Sequence, residues 1–232
     1  MGPTEWIAAT GIAVAGAWIA HGPAVLALAR TTGVGVVLRG RQAGKVALTF
    51  DDGPSPAHTP AICDALEAHG CRGTFFVLGE RVREHPRLVG GLIERGHEVG
   101  IHGDTHRSMW LAAPWSARRQ VQGALDAVMD AAGVRPRFYR PPWGQPSLGS
   151  LWAASSVGLR TVLWSASPGG FLRPRPVDRM AAAIAALPER SIACLHDAGG
   201  LADTSDRVLA ALEIALPRLV ERGIEAVTVS EA

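Results

Sequence analysis

Short apolar runs alternate with longer stretches of helical periodicity from Lys45 to the end of the chain. A short apolar run bounded by turn residues is typical of a buried strand, whereas apolar positions three or four apart mark one face of a helix. Regular alternation of the two is typical of a β/α fold with a mostly parallel sheet. The pattern therefore predicts an α/β domain whose site lies at the carboxyl ends of the strands.

The predicted elements follow this alternation. Strands are predicted at Val46–Phe50, Thr74–Leu78, Glu98–Ile101, Phe138–Tyr139, Thr161–Trp164, Ile192–Leu195 and Ala226–Val229. Helices are predicted at Thr59–His69, Pro86–Arg95, Ser116–Ala132, Ser147–Ser156, Pro176–Leu187 and Ser205–Arg222. Three of these helices are followed by a glycine at which we expect a left-handed C-cap: Gly70, Gly96 and Gly133.

The N-terminal segment differs from the rest of the chain, because residues 6–29 contain no charged side chain. The run is long enough for one tilted membrane span, although Pro23 should kink or break a helix there. We expect an apolar N-terminal segment at residues 1–40, a candidate membrane anchor, and one catalytic-sized domain at residues 41–232. The alternative is an Ala-rich helical hairpin that packs on the domain or lies in the membrane interface.

Composition narrows the function classes. A chain of 232 residues that is 47% hydrophobic with a net charge of +2 excludes disorder. The arginines are scattered singly, which argues against a nucleic-acid partner. Lys45 is the only lysine, so lysine-based catalysis is not expected. Cys63, Cys71 and Cys194 fit neither a disulfide framework nor a metal knuckle and are interpreted as small buried apolar residues.

Residues suited to metal binding or acid–base chemistry follow four predicted strands. Asp51 and Asp52 are adjacent carboxylates, which repel one another unless a cation separates their roles. His102 and His106 are four residues apart, so they would share one face of a helical turn and could bind one zinc-like ion. Gly103 stands where a metalloprotease motif has its glutamate, so any base must come from elsewhere. The alternatives are turn chemistry for the aspartates and surface exposure for the histidines.

Two further strand ends carry such residues. Arg140 precedes two prolines that would hold its direction, and Trp143 offers a flat surface of the kind on which sugar rings stack. His196 directly follows an apolar strand, where it could serve as a general acid near neutral pH. An incidental surface arginine and a structural histidine are the alternatives. The four strand ends occur in order along the chain, and their conjunction favours a site.

These residues resemble the motifs of polysaccharide deacetylases with a NodB homology domain, the carbohydrate esterase family 4. The resemblance covers Lys45 to the C-terminus. It implies a distorted (β/α) barrel of the NodB type, which in this chain would follow the N-terminal apolar helical segment. It is carried by Thr49–Ser55 (TFDDGPS), His102 with His106, Arg140 with Pro142 and Trp143, and Leu195-His196-Asp197.

The resemblance implies a role for each motif residue. It implies that Asp51 is the general base, that Arg140 is its partner and that His196 is the general acid. The implied ligands of a divalent metal are Asp52, His102 and His106, and the expected metal is Zn²⁺, with Co²⁺ or Ni²⁺ as alternatives. The implied substrate contacts are Pro142, Trp143 and Leu195. Two positions depart from the family pattern. Gly103 replaces a Ser or Thr and loses a loop hydrogen bond, and Ser167 stands where an aspartate that orients the acid is expected.

The expected activity is metal-dependent removal of N-acetyl groups from amino-sugar units of a polysaccharide such as peptidoglycan or a chitin-like glycan. Two alternatives stay open. The first is a catalytically weak or inactive glycan-binding homologue that keeps the metal site, and the second is a metal hydrolase for a different ester or amide. We expect an N-acetylated glycan as partner, a monomer, and a membrane-associated or extracytoplasmic location.

Overall fold

The computed structural model describes residues 21–170, 173–199 and 204–232. Most of the predicted membrane segment, residues 6–20, lies outside the described residues, and only its last part, residues 21–29, can be placed. Within the described ranges, no helix is both long enough and apolar enough to cross a bilayer.

Eight strands form one sheet in which every pair is parallel. Along the sheet the order is β1-β6-β5-β4-β3-β2-β7, and β8 also pairs with β2. The strands are β1 Val36–Val37, β2 Lys45–Asp51, β3 Thr74–Val77, β4 Glu98–Ile101, β5 Phe138–Tyr139, β6 Arg160–Val162, β7 Ile192–His196 and β8 Glu225–Val227.

Helices connect these strands and cover the outer face of the sheet. They are α1 (residues 21–32), α2 Thr59–Glu67, α3 Gly79–Glu84, α4 Pro86–Glu94, α5 Pro114–Ala132, α6 Leu148–Ser156, α7 Val177–Ala185 and α8 Ser205–Glu221, with a 3₁₀ turn at Pro142–Gly144. Every predicted strand and helix is present, and its ends differ from the prediction by no more than two residues. The prediction missed β1, α3 and the 3₁₀ turn, which are too short to show a period.

The sheet curls into a half-barrel, so the predicted α/β class is confirmed, and the predicted distorted barrel is confirmed only in part. Its two sides are linked just after β6, where Ala166 forms a parallel bridge with Ala193 of β7. The predicted left-handed C-caps are confirmed at Gly70, Gly96 and Gly133, whose φ angles are 66°, 78° and 64°.

The alternation of side chains along each strand decides which residues face the enclosed side of the sheet. In β2, Val46, Leu48 and Phe50 belong to the core beneath the helices, whereas Ala47 belongs to a second core inside the curl. Because successive side chains point to opposite faces, Thr49 and Asp51 lie on the enclosed side with Ala47.

The same alternation applies to neighbouring strands. Cys194 of β7 and Phe138 of β5 belong to the enclosed core, so His196 and Arg140, two residues further on, follow them to that side. A Cβ on Gly100 of β4 would meet Phe76 of the same core, which puts the next residue but one, His102, there too. The curl therefore gathers the chemistry of four strand ends into one space.

Residues 21–40, which the predicted domain boundary assigns to the N-terminal segment, contact the domain. Ala29 is fully buried, and β1 pairs with β6. Arg30 donates from Nη1 to the Trp164 carbonyl at 3.3 Å, and its guanidinium lies 5.1 Å from the centre of that indole ring. The chain that enters the described region at residue 21 is thus attached to the wall of the enclosed space.

The tight packing of the enclosed side generates a prediction for two glycines. A Cβ on Gly100 would lie 2.6 and 2.7 Å from two Phe76 ring carbons, whereas one on Gly90 of α4 would meet nothing within 4 Å. We expect Gly100→Ala to lower the free energy of unfolding by about 1–3 kcal/mol through overpacking. Gly90→Ala should raise it by about 0.5–1 kcal/mol through helix propensity. Urea unfolding of both variants measures this, and equal effects would contradict it.

Candidate metal centre and catalytic pocket

Arg140 and Asp51 form a buried ion pair on the enclosed side of the sheet. The guanidinium Nη1 donates to Asp51 Oδ1 at 2.7 Å and to Thr49 Oγ1 at 2.6 Å. Nε and Nη2 donate to the carbonyls of Val162 and Leu163 at 3.3 and 3.2 Å. Arg140 is fully buried, so these acceptors replace water around its charge. The arrangement fixes one oxygen of the Asp51 carboxylate and leaves the other, Oδ2, for the pocket.

Aromatic rings and charge complete the environment of this pair. The Arg140 guanidinium lies 4.1 Å from the Phe76 ring centre and 5.6 Å from that of Trp164. Burial would raise the pKa of Asp51, but Arg140 and two nearby imidazoles hold that pKa below its ordinary value. Asp51 is therefore a carboxylate at neutral pH, as a general base must be.

Three side chains converge beside this carboxylate as a candidate metal centre. Asp52 Oδ1 lies 3.5 Å from His102 Nε2 and 3.2 Å from His106 Nε2. Asp52 Oδ1 is buried and has no hydrogen-bond partner among the described residues. His102 Nδ1 donates to the Arg140 carbonyl at 2.8 Å, which leaves the Nε2 lone pair facing Asp52. A carboxylate and two imidazoles are a donor set typical of zinc, with further positions for water or substrate.

The electrostatics of the three donors also fit a cation. Burial raises the pKa of Asp52 to about 8, and the neighbouring carboxylates of Asp51 and Asp197 add to the effect. Burial lowers the pKa of His102 to about 3 and lowers that of His106. The imidazoles are thus neutral ligands, and the crowded carboxylates would be stabilised by a divalent ion.

The backbone at the ends of β2 and β4 brings these donors together. Asp52 has a φ of 74°, a left-handed conformation that turns its side chain towards the pocket of Asp51. His102 and His106 do not share a helical turn, so that part of the prediction is wrong. Residues 102–106 form an irregular loop that turns at Gly103, with a φ of 97°. The loop returns His106 to the pocket where His102 already points.

Other hydrogen bonds hold the loop in which Gly103 replaces the Ser or Thr of the family pattern. The Thr105 backbone N–H donates to Gln120 Oε1 of α5 at 2.8 Å, and the Thr105 hydroxyl lies 3.2 Å from the same oxygen. The Gly103 carbonyl accepts from the Gly79 N–H at the start of α3, at 3.0 Å. The loop that carries His106 is therefore held without a side chain at Gly103.

His196 lies beside Asp51 because the two residues are register partners in the β2–β7 pair. Burial is the main cause that lowers the pKa of His196, and Asp51 partly opposes it. Ser167 lines the same cavity, but no hydrogen bond joins it to His196 in the described part of the chain. Leu195 borders this cavity while it packs into the core beneath the helices.

The predicted substrate loop supplies one cavity wall. Trp143 adopts a φ of 61° within the 3₁₀ turn, and its ring centre lies 4.8 Å from that of His106. A non-glycine residue in this region costs about 1–3 kcal/mol and is often found at functional sites. Pro142 is buried against Gly103 and does not line the cavity.

Four residues in or beside the pocket have roles that the sequence analysis did not assign. Trp164 forms a wall, and Thr49 holds Arg140. Cys194 places its thiol 3.4 Å from Asp51 Oδ2 and donates to it. Asp197 is fully buried, accepts from the Thr59 hydroxyl, and has a pKa raised by burial to about 7. Period-two alternation from Asp51 and His196 would have placed Thr49 and Cys194 on the enclosed side. Asp197 belongs to the Leu195-His196-Asp197 motif but was given no role, and no sequence signal identified Trp164.

This chain is similar in sequence and in fold to known polysaccharide deacetylases. A family model described as polysaccharide deacetylase matches residues 39–162. A chitooligosaccharide deacetylase of Sinorhizobium fredii is 35% identical over 192 residues, or 79% of this chain and 89% of that protein. A peptidoglycan-N-acetylglucosamine deacetylase of Bacillus cereus is 34% identical over 80% of this chain and 86% of its own. The structure of peptidoglycan deacetylase PdaC from Bacillus subtilis superposes with a TM-score of 0.72 at 29% identity, over 82% of this chain and 90% of PdaC.

The ion pair generates a first prediction for the site. Arg140→Met leaves the Asp51 charge buried and unpaired, so we expect a loss of about 3–5 kcal/mol of unfolding free energy. Adding Asp51→Asn should recover part of this loss, because the remaining group is neutral. Exposed Arg160→Met is the control and should change stability by less than about 0.5 kcal/mol. Urea unfolding in chelator gives all values, and no recovery in the double variant would contradict the pairing.

The Arg140–Asp51 pair also predicts how the stability of the folded protein depends on pH. In the folded protein the pKa of Asp51 lies below its ordinary value of about 3.9. The unfolded chain therefore binds more protons in acid, so the contribution of the pair is present above about pH 4 and is lost as the pH falls. The free energy of unfolding of the parent chain should therefore approach that of the Asp51→Asn variant as the pH falls, and urea unfolding at a series of pH values measures this.

A second prediction concerns the metal donors. We expect the His102→Ala, His106→Ala double variant to bind one equivalent of divalent metal fewer than the parent chain, because the one carboxylate left at this centre holds zinc weakly. His69→Ala with His85→Ala removes two histidines outside the pocket and should leave the metal content unchanged. Elemental analysis of the purified proteins measures this. A first variant that binds as many equivalents of metal as the parent chain would place this centre elsewhere.

Proposed function

We propose the function of this chain from one premise: it belongs to the polysaccharide deacetylase family, whose members are hydrolases acting on C–N bonds. The finer proposal is that it removes N-acetyl groups from amino-sugar units of a polysaccharide, with a divalent metal at Asp52, His102 and His106. The relatives named above act on chitooligosaccharide and on peptidoglycan N-acetylglucosamine.

A single observation carries this proposal. A carboxylate that is kept ionised, Asp51, lies beside a separate Asp-His-His donor group, and the two share one cavity with His196. An enzyme that hydrolyses an amide with water needs a base for the water and an acid for the amine. It also needs positive charge at the developing oxyanion. Among the described residues, Asp51 would be the base and His196 the acid. The Asp-His-His donor group fits an ion that would supply the positive charge.

Each side chain has one task in the proposed reaction. A divalent ion held by the three donors would supply Lewis acidity to the acetyl carbonyl and the attacking water. Asp51, aligned by Arg140, takes a proton from the water through Oδ2, the oxygen that Arg140 does not bind. His196 gives a proton to the departing nitrogen, so the C–N bond breaks to yield a free amine and acetate. No covalent link to the protein forms.

The cavity walls support an acetylated sugar as substrate. Leu195 and Val208 supply apolar surface to the cavity that His196 also lines, which suits the acetyl methyl group. Trp143 and Trp164 line the same cavity, and the partly exposed Trp143 ring offers a flat apolar surface to a sugar. Peptidoglycan and chitin-like oligomers both present such a unit, and a screen of defined N-acetylated glycans separates them.

A second candidate function is glycan binding without efficient turnover, and Ser167 favours it. Asp51 is the one carboxylate that acts on His196 electrostatically in the described part of the chain, and it is already committed to Arg140. A serine at position 167 adds no charge to stabilise protonated His196. Ser167→Asp should raise turnover and move the basic limb of the rate profile to higher pH. Glycan binding without acetate release in both forms would favour the binding function.

Measuring acetate release from chitooligosaccharides by metal-loaded protein tests the main proposal. We expect Asp51→Asn to keep its metal and lose activity by about a hundredfold or more, because a carboxamide cannot accept the water proton. Asp130→Asn, a matched change on the exposed side of α5, should leave activity unchanged. Near-native turnover in metal-replete Asp51→Asn would remove Asp51 from its role.

We also propose that residues 6–29 attach the protein to a membrane. Their uncharged apolar sequence supports this, and α1, which includes the last of them, is attached to the pocket wall through Arg30. We expect the full chain to sediment with membranes. A chain that begins at His21 keeps the Arg30 contacts and should stay in the supernatant with the same activity. Recovery of the full chain in the supernatant would favour the packed hairpin.

A further inference from the structure

A second group of metal-binding side chains lies in the pocket, next to the Asp-His-His centre. Asp51, Cys194 and His196 each offer one ligand atom, and the three atoms lie within 4.8 Å of one another. The Cys194 Sγ is 3.4 Å from Asp51 Oδ2, the carboxylate oxygen that Arg140 does not occupy. Together the two groups put six donor side chains around one cavity.

The β2–β7 pairing creates this group. Thr49 is the register partner of Cys194, and Asp51 is the register partner of His196. Because alternate residues of a strand share a face, the thiol lies one pleat below the imidazole and next to the carboxylate. The other two cysteines, Cys63 and Cys71, belong to the core beneath the helices and have no access to the cavity.

The donor chemistry distinguishes this group from its neighbour. A thiolate, an imidazole and a carboxylate together suit Zn²⁺ and related soft or borderline cations, whereas they suit Mg²⁺ and Ca²⁺ poorly. Binding would release the thiol proton to solvent and change no oxidation state. The thiolate would bring a negative charge that Arg140 does not already balance, and Asp51 would contribute Oδ2 as a ligand to a second dication close to the first.

We propose that Asp51, Cys194 and His196 form a second, inhibitory zinc-class site. An ion there would occupy both the base and the acid of the proposed reaction, so activity would fall once the metal exceeds one equivalent. The inhibition rests on the proposed function, whereas the binding does not. Cys194 thus makes the enzyme sensitive to excess zinc.

A cobalt titration of the metal-free full chain tests the binding. We expect two equivalents of Co²⁺ to bind, with a thiolate-to-cobalt charge-transfer band that grows during the second equivalent. Cys194→Val should lose this band and bind one equivalent, whereas Cys63→Ala should behave as the parent chain. The His102→Ala, His106→Ala variant should lose the first equivalent and keep the band. One equivalent in the parent chain, or a band that survives Cys194→Val, would overturn the proposal.

A zinc titration of acetate release tests the consequence. We expect activity to rise to one equivalent and then to fall, with the inhibitory concentration at least tenfold higher in Cys194→Val. Equal inhibition of both chains would overturn the inhibitory role. If neither chain releases acetate at any zinc concentration, the proposed function fails, and the cobalt band still decides the second site.

Discussion

The pair of Arg140 and Asp51 is the constraint on which the pocket depends. A fully buried arginine needs acceptors in place of water, and the curled sheet provides a carboxylate, a threonine hydroxyl and the carbonyls of Val162 and Leu163 for four of its five N–H groups. The Arg140 carbonyl in turn accepts from His102 Nδ1 and so fixes the tautomer of one metal donor. One residue therefore positions the proposed base through its side chain and the metal centre through its backbone.

Adjacent carboxylates can share this pocket because the strand ends between them. In a continuing strand, Asp52 would point to the opposite face from Asp51 and enter the apolar core of Val46, Leu48 and Phe50. The left-handed φ of 74° at Asp52 turns its side chain back to the enclosed side. The conformational cost is about 1–3 kcal/mol, and it separates a carboxylate held by arginine from one that faces two imidazoles.

The sequence predicted the regular elements and most of the pocket for the same physical reason. A short apolar run marks a buried strand and a 3.6-residue period marks the buried face of a helix, and residues such as Asp51, His102 and His196 directly follow the predicted strands. Elements without a period were missed, as β1 and α3 show. The helical turn predicted for His102 and His106 was wrong because a spacing of four residues does not distinguish a helix from a loop that reverses at Gly103. The interior role of Trp164 depends on the curl of the sheet, which no local pattern encodes.

Cys194 shows how one residue can belong to both the core and the site. Its burial agrees with its interpretation as a small apolar residue, and burial of a neutral thiol costs little. Its position in β7, however, is determined by pairing with β2, so the pleat that delivers His196 to Asp51 also delivers the thiol. An apolar residue at this position would fill the same volume and leave Asp51 Oδ2 to water alone. The thiol adds a soft ligand to a pocket that already contains five other metal-binding side chains, and this addition follows from strand register and not from a metal-binding motif.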